Sequence, residues 1–380
     1  MRSFQGGLEW CKYPGSVSSA YIGLITIKHV VPEFFAYLFK CSPYIQALQS
    51  TSNLVRDGQA LRFENFSQVW LPLIPDNEQW AIANFLDHET AKIDTLIDKQ
   101  QQLIKLLKEK RQAVISHAVT KGLNPNAPMR DSGIEWLGEV PEHWQMIPLK
   151  YLCGFSGGGT PSKDNLSYWT GGDIPWVSPK DMKSFWVSDT QDKLTAKAVE
   201  ESSTNFIESG ALLMVVRSGI LQRTIPIGIN TVRITLNQDM KALKFNERVN
   251  VEYAANYILG NVASLLLEWS KEGATVESIE QEYLSGSLFP VPPLEEQIEI
   301  NEEVKERMDV FQSLEDRAAR GIALLQERRT ALMSAAVTGK IDVRNWVAPA
   351  QPCARDMSAS IQATTPESSR NTTRTMETVA

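Results

Sequence analysis

A long internal repeat constrains this sequence more than any other feature. Residues 72–120 and 290–338 align without a gap, at an offset of 218 residues (72 to 290). The identities cluster at the two ends of the copies and include Pro72/Pro290, Pro75/Pro293, Glu78/Glu296, Gln79/Gln297, Ile82/Ile300, Arg111/Arg329, Ser116/Ser334 and Ala118-Val119-Thr120/Ala336-Val337-Thr338. A shared spacing over this length indicates a duplication.

Each copy is predicted to form one long helix. Pro75 and Pro293 stand just upstream, where proline suits a helix start, and no proline follows until the far end. Apolar residues recur at heptad spacing, which requires a partner helix. The simplest partner is the other copy, in an antiparallel pair, although a coiled coil without any recognition role would show the same periodicity. The heptad positions are Leu86, Ile93, Leu107 and Val114 in the first copy and Val304, Phe311, Ala318, Leu325 and Leu332 in the second.

A looser match extends the repeat towards the start of the sequence. Arg2-Ser3 resembles Arg217-Ser218, so residues 1–120 correspond to residues 216–338. Residues 123–215 have no earlier counterpart. The sequence is therefore interpreted as one complete unit preceded by the end of another.

Several motifs, taken in order, resemble those of type I restriction–modification specificity subunits. The resemblance covers roughly residues 1–345. Each motif is modest alone, but their order and spacing together are specific. The motifs are Pro290-x-x-Pro293-x-x-Glu296-Gln297 with its earlier twin, the opening stretch Ser132-Gly133-Ile134-Glu135-Trp136-Leu137-Gly138-Glu139-Val140-Pro141-x-x-Trp144, Gly158-Gly159-Thr160-Pro161-Ser162, and the stretch from Asp173 to Asp181.

The resemblance implies an α+β fold. It combines a mixed α/β target-recognition domain, two long antiparallel coiled-coil helices and a partial second recognition domain. Because members of the family carry two recognition domains, we expect this sequence to be shortened at its N-terminus. The predicted boundaries are 1–70 for the C-terminal part of a first recognition domain, 71–122 for the first long helix, 123–144 for a linker, 145–289 for the complete recognition domain, 290–340 for the second long helix and 341–380 for a disordered tail.

The resemblance also implies a function. The chain is expected to bind double-stranded DNA in a sequence-specific way and to direct two methyltransferase subunits, and a motor-nuclease restriction subunit, to the target. A second specificity chain is a further candidate partner. No cofactor is expected on this chain, since S-adenosylmethionine, ATP and Mg²⁺ belong to the partners. A coiled-coil scaffold that does not bind DNA, or an inactive shortened copy, is the alternative.

Within the recognition domain, short apolar runs predict strands. Ala211–Val216 and Ile225–Ile229 are bounded by glycines, and Gly210 suits a tight turn before the first run. Ala254–Leu267 has apolar spacings of three and four, which predict a helix.

Basic and hydroxyl side chains near these loops are the candidate DNA contacts. Arginine bonds guanine in a bidentate way, whereas lysine more often binds phosphate. Trp169 and Trp176 are interpreted as core or loop anchors, and nothing in the pattern singles out Asn237 or Gln238 as readers of adenine. The candidates are Thr160, Ser162, Lys163, Lys180, Lys183, Arg217 and Arg223.

Catalysis by this chain is not expected. The stretch from Gly157 to Lys163 lacks the spacing of a phosphate loop, and Pro161 removes an amide donor. Asn124-Pro125-Asn126 lacks the second proline and the aromatic residue of an adenine methyltransferase loop. The four histidines show no metal spacing.

The bulk composition sets wider limits. The net charge of −7 is unusual for a DNA-binding protein, so any basic surface must be local. No apolar run approaches the ~18–20 residues that a membrane span needs. Four scattered cysteines, Cys11, Cys41, Cys153 and Cys353, predict reduced thiols in a cytoplasmic protein.

Overall fold

The computed structural model describes residues 8–11, 13–18, 21–51, 63–270 and 278–348. The chain divides into a first unit of residues 1–99 and 321–380 and a second unit of residues 100–320. Among the described residues the helices are α1 (Pro32–Leu38), α2 (Ser42–Ser50), α3 (Phe63–Ser67), α4 (Asp76–Lys121), α5 (Ala196–Glu201), α6 (Val251–Gly260), α7 (Val262–Trp269), α8 (Gln281–Gly286) and α9 (Leu294–Val337). No helix in these ranges combines the length and apolarity that a membrane crossing requires.

The two repeated stretches are both helical, as predicted. Helix α4 has 46 residues and α9 has 44, and each contributes to both units. In the first unit the start of α4 shares a core with the end of α9, where Leu86 meets Val337 in one buried cluster. In the second unit the end of α4 shares a core with the start of α9, through Val119 and Ile300. The helices are therefore antiparallel within each unit, which confirms the predicted pairing.

The heptad positions differ in how deeply they are buried. Leu86, Ile93, Val304 and Ala318 are buried. Polar contacts also join the two long helices. Arg329 Nε lies 3.0 Å from Asp94 Oδ1 in the first unit, and Arg111 Nε donates to the thioether sulfur of Met308 at 3.1 Å in the second. The remaining heptad positions, Leu107, Val114, Phe311, Leu325 and Leu332, are partly buried.

The recognition domain in the second unit is built around a five-stranded sheet of order β4-β11-β8-β9-β6. Strand β11 lies between β4 and β8 and is antiparallel to both. One face of the sheet packs towards α6 and the long helices, and the other covers a smaller core around Val177. The strands are β1 (Met129–Asp131), β2 (Glu139–Pro141), β3 (Gln145–Pro148), β4 (Cys153–Gly157), β5 (Ile174–Val177), β6 (Trp186–Val187), β7 (Lys193–Leu194), β8 (Leu212–Val215), β9 (Ile227–Asn230), β10 (Thr235–Leu236), β11 (Met240–Phe245) and β12 (Leu288–Val291).

The strand predictions hold, whereas one helix prediction is wrong. Strand β8 lies inside its predicted run, and β9 overlaps its run and ends one residue beyond it, at Asn230. Gly210 has a φ of 82°, which suits the turn before β8. The predicted single helix over residues 254–267 is two helices, α6 and α7, that break at Asn261. The Asn261 side chain donates to the carbonyl of Tyr257 at 2.8 Å, which competes with continued helix.

The segment between α4 and the sheet is more ordered than a linker. Strands β1 and β2 pair as a hairpin within residues 123–144, and Val140 and Trp144 are buried in the main core. The start predicted for the second long helix also shifts, because residues 288–291 form β12, which pairs with β3. Both the β1–β2 hairpin and the strand β12 form because their segments carry apolar side chains that are buried against neighbouring elements.

A buried glutamine ties the recognition domain to the start of α9. Gln297 has no exposed surface. Its Oε1 accepts from the backbone N–H of Asn250 at 2.8 Å, and its Nε2 donates to the carbonyls of Arg248 and Pro292, both at 2.9 Å. The side chain therefore fixes the chain that enters α6 to the chain that enters α9.

The repeated residue Gln79 makes the same three bonds in the first unit. It is also fully buried. Its Oε1 accepts from the backbone N–H of Val31 at 2.8 Å, and its Nε2 donates to the carbonyls of His29 and Ile74 at 2.9 and 2.7 Å. Helices α1, α2 and α3 thus follow one another as α6, α7 and α8 do, and the two sets begin at equivalent anchors.

A second repeated pair joins each set of helices to the other long helix. Ser116 on α4 donates to Asn261 Oδ1 at 2.7 Å in the second unit. In the first unit the backbone N–H of Ser42 donates to Ser334 Oγ on α9 at 3.3 Å. In both units the set of short helices, α1–α3 or α6–α8, therefore contacts the beginning of one long helix and the end of the other.

Part of the predicted disordered tail is ordered. Val343 is buried in the core of the first unit, and the ring of Trp346 lies 5.5 Å from the ring of Phe85 in an edge-to-face contact. The prediction of disorder for residues 341–380 is thus wrong for 341–348, because these two side chains find apolar neighbours. Residues 349–380 lie outside the described residues.

Replacing Gln297 tests the anchor. Gln297→Ala removes the partner of one partly buried N–H, one partly buried carbonyl and the buried carbonyl of Pro292, so we expect it to lower the free energy of unfolding by about 3 kcal/mol. Gln326→Ala, an exposed position on the same helix, is the matched control and should change it by less than about 0.5 kcal/mol. Thermal unfolding followed by circular dichroism measures both variants, and equal melting temperatures would contradict the anchoring role.

Candidate nucleic-acid interface

A glycine loop after β4 is locked against the strand β10. The amide of Gly159 donates to the carbonyl of Leu236 at 2.8 Å. The carbonyl of Gly159 accepts from the indole of Trp176 at 3.0 Å and from the hydroxyl of Thr204 at 2.8 Å. At Gly158 a Cβ would collide with the carbonyl oxygens of Leu236 and the next residue, so only glycine fits.

A second loop, between β10 and β11, faces the glycine loop. The backbone N–H of Asn237 donates to the carbonyl of Val177 at 2.8 Å, and its side-chain oxygen accepts from the backbone N–H of Asp239 at 2.6 Å. Gln238 between them is exposed, and its Oε1 accepts from the hydroxyl of Thr160. The two loops therefore present an amide and a hydroxyl side by side on a fixed backbone.

Arg217 joins the same cluster from the end of β8. The backbone N–H groups of Val216 and Arg217 both donate to the carbonyl of Asp239, at 2.9 and 3.3 Å. The Arg217 side chain is exposed. We call Thr160, Gln238 and Arg217 the loop cluster. The sequence had left Gln238 unassigned, because its neighbours are set by the fold and not by chain proximity.

Neighbouring positions of the glycine loop carry exposed side chains. Ser162 and Lys163 are exposed, and the carbonyl of Ser162 accepts from the indole of Trp169 at 3.0 Å. The rings of Trp169 and Trp176 meet edge to face, with centroids 5.1 Å apart. Trp176 is buried, so both tryptophans brace the loop, in agreement with their interpretation as anchors.

The other basic candidates lie on different turns. Lys180 forms an ion pair with Asp192, with 2.6 Å between Nζ and Oδ2, so part of its charge is already compensated. Lys183 is exposed in the turn before β6. Arg223 is exposed in the connection from β8 to β9, which also carries Arg217. The structure places Thr160 and Arg217 around the loop between β10 and β11. The other candidates lie on turns elsewhere in the described part of the recognition domain.

One lysine that the sequence analysis did not consider lies on the strand that follows Gln238. Lys241 lies on β11, opposite Gly157 of β4 and Met214 of β8. Burial lowers the pKa of its ammonium group. Throughout the described ranges, no group of three or more His, Cys, Asp or Glu residues is arranged to hold a metal ion.

Comparison with known proteins defines the class of this chain. Residues 141–313 match the family described as the type I restriction modification DNA specificity domain. The matched region contains the whole loop cluster. Residues 141–313 of the chain belong to this domain family.

Two curated relatives and one solved structure support this assignment. The chain is 32% identical to the specificity subunit of the type I restriction enzyme EcoR124I/EcoR124II of Escherichia coli over 267 residues, or 68% of this chain and 59% of that protein. It is 29% identical to the MjaIX specificity subunit of Methanocaldococcus jannaschii over 170 residues, or 43% of this chain and 38% of that protein. The chain thus spans less than two thirds of the length of these relatives.

The solved structure concerns the complex assembly and conformational transition of the type I R-M system. The chain matches one of its chains with a TM-score of 0.63 at 16% identity, over 82% of this chain and 72% of that one. At this identity the likeness concerns the fold, and it confirms the predicted combination of a recognition domain with two long helices.

The glycine loop can be tested by a pair of alanine substitutions. Gly158→Ala forces a methyl group against two backbone carbonyls, and we expect it to destabilise the protein by about 1–3 kcal/mol. The control Gly157→Ala adds a methyl group with no atom within 4 Å and should be nearly neutral. Urea denaturation measures both, and a Gly158→Ala variant as stable as Gly157→Ala would refute the close approach of the loops.

Proposed function

We propose that this chain recognises a DNA sequence and directs partner subunits that methylate or cleave DNA. The observation that carries the proposal is the loop cluster, which lies within the matched specificity domain and exposes an amide, a hydroxyl and a guanidinium group on three backbone segments that hydrogen-bond to each other. These are the groups that bond to base edges in the major groove.

Each member of the loop cluster has a preferred target in DNA. An arginine bonds O6 and N7 of guanine, a glutamine bonds N6 and N7 of adenine, and a hydroxyl bonds either base. In this proposal Arg217 reads guanine and Gln238 reads adenine, with Thr160 orienting the amide. The backbone bonds of both loops reduce the entropy lost on binding, because the side chains start from a fixed frame.

The exposed lysines provide contacts of a different kind. Lysine binds phosphate as a point charge, which fixes the register of a protein on the duplex without reading sequence. We assign this role to Lys163, Lys183 and Lys180. Ser162 and Arg223 are further contacts to the phosphate backbone of the DNA. Lys180 would exchange Asp192 for a phosphate on binding, so its net contribution is smaller than that of an unpaired lysine.

The long helices α4 and α9 complete the proposal as the part that sets the position of the recognition domain. We assign their outward polar faces to methyltransferase subunits and to a motor-nuclease subunit. Methylation of an adenine requires the base to leave the stack, and that chemistry, with S-adenosylmethionine, ATP and Mg²⁺, belongs to the partners. This chain contributes recognition alone, and a cytoplasmic location follows from that role.

The competing function is a protein scaffold that does not bind DNA, and the net charge of −7 favours it. The two functions differ in salt dependence. A DNA-binding protein loses affinity steeply as salt rises, because cations are released from the phosphates that it neutralises. A scaffold has no such dependence.

An arginine pair tests the role of Arg217 in DNA binding. We expect Arg217→Ala, in complex with the methyltransferase subunits, to weaken binding to target DNA about 10- to 100-fold and to relax the preference for one base. The matched control is Arg233→Ala, because Arg233 is exposed at the opposite end of the β8–β9 pair and forms an ion pair with Glu208. Fluorescence anisotropy over a salt series measures both, and the absence of salt-dependent binding by the unmutated complex would favour the scaffold.

A second test maps methylated adenines after co-expression with the methyltransferase subunits. The unmutated chain should direct methylation to a defined sequence. Gln238→Ala should broaden one adenine position of that sequence, whereas Gln281→Ala, at an exposed position on α8, should leave it unchanged. Methylation of an unchanged sequence by the Gln238→Ala complex would exclude Gln238 as a base reader.

A further inference from the structure

The second unit contains a seat for a tryptophan side chain. Trp144 is 1% exposed, and its indole N–H donates to Glu296 Oε1 at 3.1 Å. Helix α4 ends beside it at Gly122, whose φ is 75°; a Cβ there would lie 3.3 Å from the indole ring and 3.2 Å from the Glu296 carboxylate. We call this place the tryptophan seat.

The residues after Trp144 extend the same contact along a strand. Residues 145–148 form β3, which pairs antiparallel with β12, from Gln145 opposite Val291 to Pro148 opposite Leu288. Residues 144–148 are therefore held in two ways: by the buried indole ring of Trp144 and by the backbone hydrogen bonds of β3. Val291 is 6% exposed as a result.

The first unit has the same walls around an open cavity of about 340 Å³. Glu78 stands where Glu296 stands in the aligned copy, and Gly339, with a φ of 72°, lies just after the end of α9 and also lines the cavity. Most of the remaining lining is apolar. It includes Leu38, Ala47, Trp70, Ile74, Ile82 and Val337.

Beside this cavity lies an edge of the chain, residues 70–73, that forms no strand. Residues 70–73 correspond to β12 by the repeat offset, and within the described ranges they pair with no strand. Trp70 is 97% exposed and Leu73 is 66% exposed. Their counterparts Leu288 and Val291 are covered by β3. Large apolar side chains at such exposure mark a surface that another chain covers.

We propose that the open cavity and the edge at residues 70–73 bind a partner polypeptide with the pattern Val-Pro-x-x-Trp followed by a short extended strand. The indole ring occupies the cavity and its N–H donates to Glu78, while the next four residues add a strand to the edge. The occupant is a separate polypeptide and not residues 138–148 of a second copy, because that segment is already seated, with Trp144 buried and β3 paired.

The probe for this site is a fluorescein-labelled peptide with the sequence of residues 138–148, added to the purified full-length chain. We expect saturable binding in fluorescence anisotropy. Replacing the peptide tryptophan with alanine should weaken binding at least tenfold, because both the buried ring and the hydrogen bond to a carboxylate are lost. No binding of the unmodified peptide, or equal binding of both peptides, would overturn the proposal.

Variants of the chain locate the peptide. Glu78→Ala should weaken binding about tenfold, and Ala47→Trp, which fills the cavity from α2, should abolish it. Asp98→Ala, at an exposed position on α4, should have no effect. Binding that ignores Glu78→Ala would refute the site. A dimer of the unmutated chain in sedimentation that Glu78→Ala dissociates would show that the occupant is a second copy. Neither measurement involves DNA or a methyltransferase.

Discussion

The buried amides of Gln79 and Gln297 are the interaction on which the arrangement of each unit depends. Each side chain has no exposed surface and satisfies three backbone groups from two separate segments. A buried amide that loses a partner carries the full cost of desolvation, so only one relative position of the two segments is favourable. The short helices α1–α3 and α6–α8 are therefore fixed to the long helix that follows each set. In the second unit the five-stranded sheet packs against α6.

Regular features of the fold could be predicted from the sequence because they depend on local periodicity. The long helices follow from heptads around Leu86 and Val304, and β8 from an apolar run that Gly210 precedes. The repeat even singled out Gln79 and Gln297 as identities. Their hydrogen bonds could not be predicted, because two of the three partners of each side chain are backbone groups 47–50 residues away.

The candidate site was harder to predict than the fold. Thr160 and Gln238 are 78 residues apart, and only the packing of Gly158 against β10 brings them together. The ion pair between Lys180 and Asp192 could not be predicted, because Asp192 lies on a turn that no sequence pattern linked to Lys180. The order of residues 341–348 depends on contacts between Trp346 and Phe85, which composition does not report.

The glycine loop after β4 and the loop between β10 and β11 are held together by backbone hydrogen bonds, which affects how the sequence of such a protein can evolve. Backbone amides and carbonyls of Gly159, Leu236 and Asn237 hold the frame, whereas the side chains of Thr160 and Gln238 contribute little to it. Mutations at those two positions alter the chemistry offered to a ligand and leave the scaffold intact. If these positions read DNA as proposed, new specificities would arise by single substitutions, without an intermediate sequence that fails to fold.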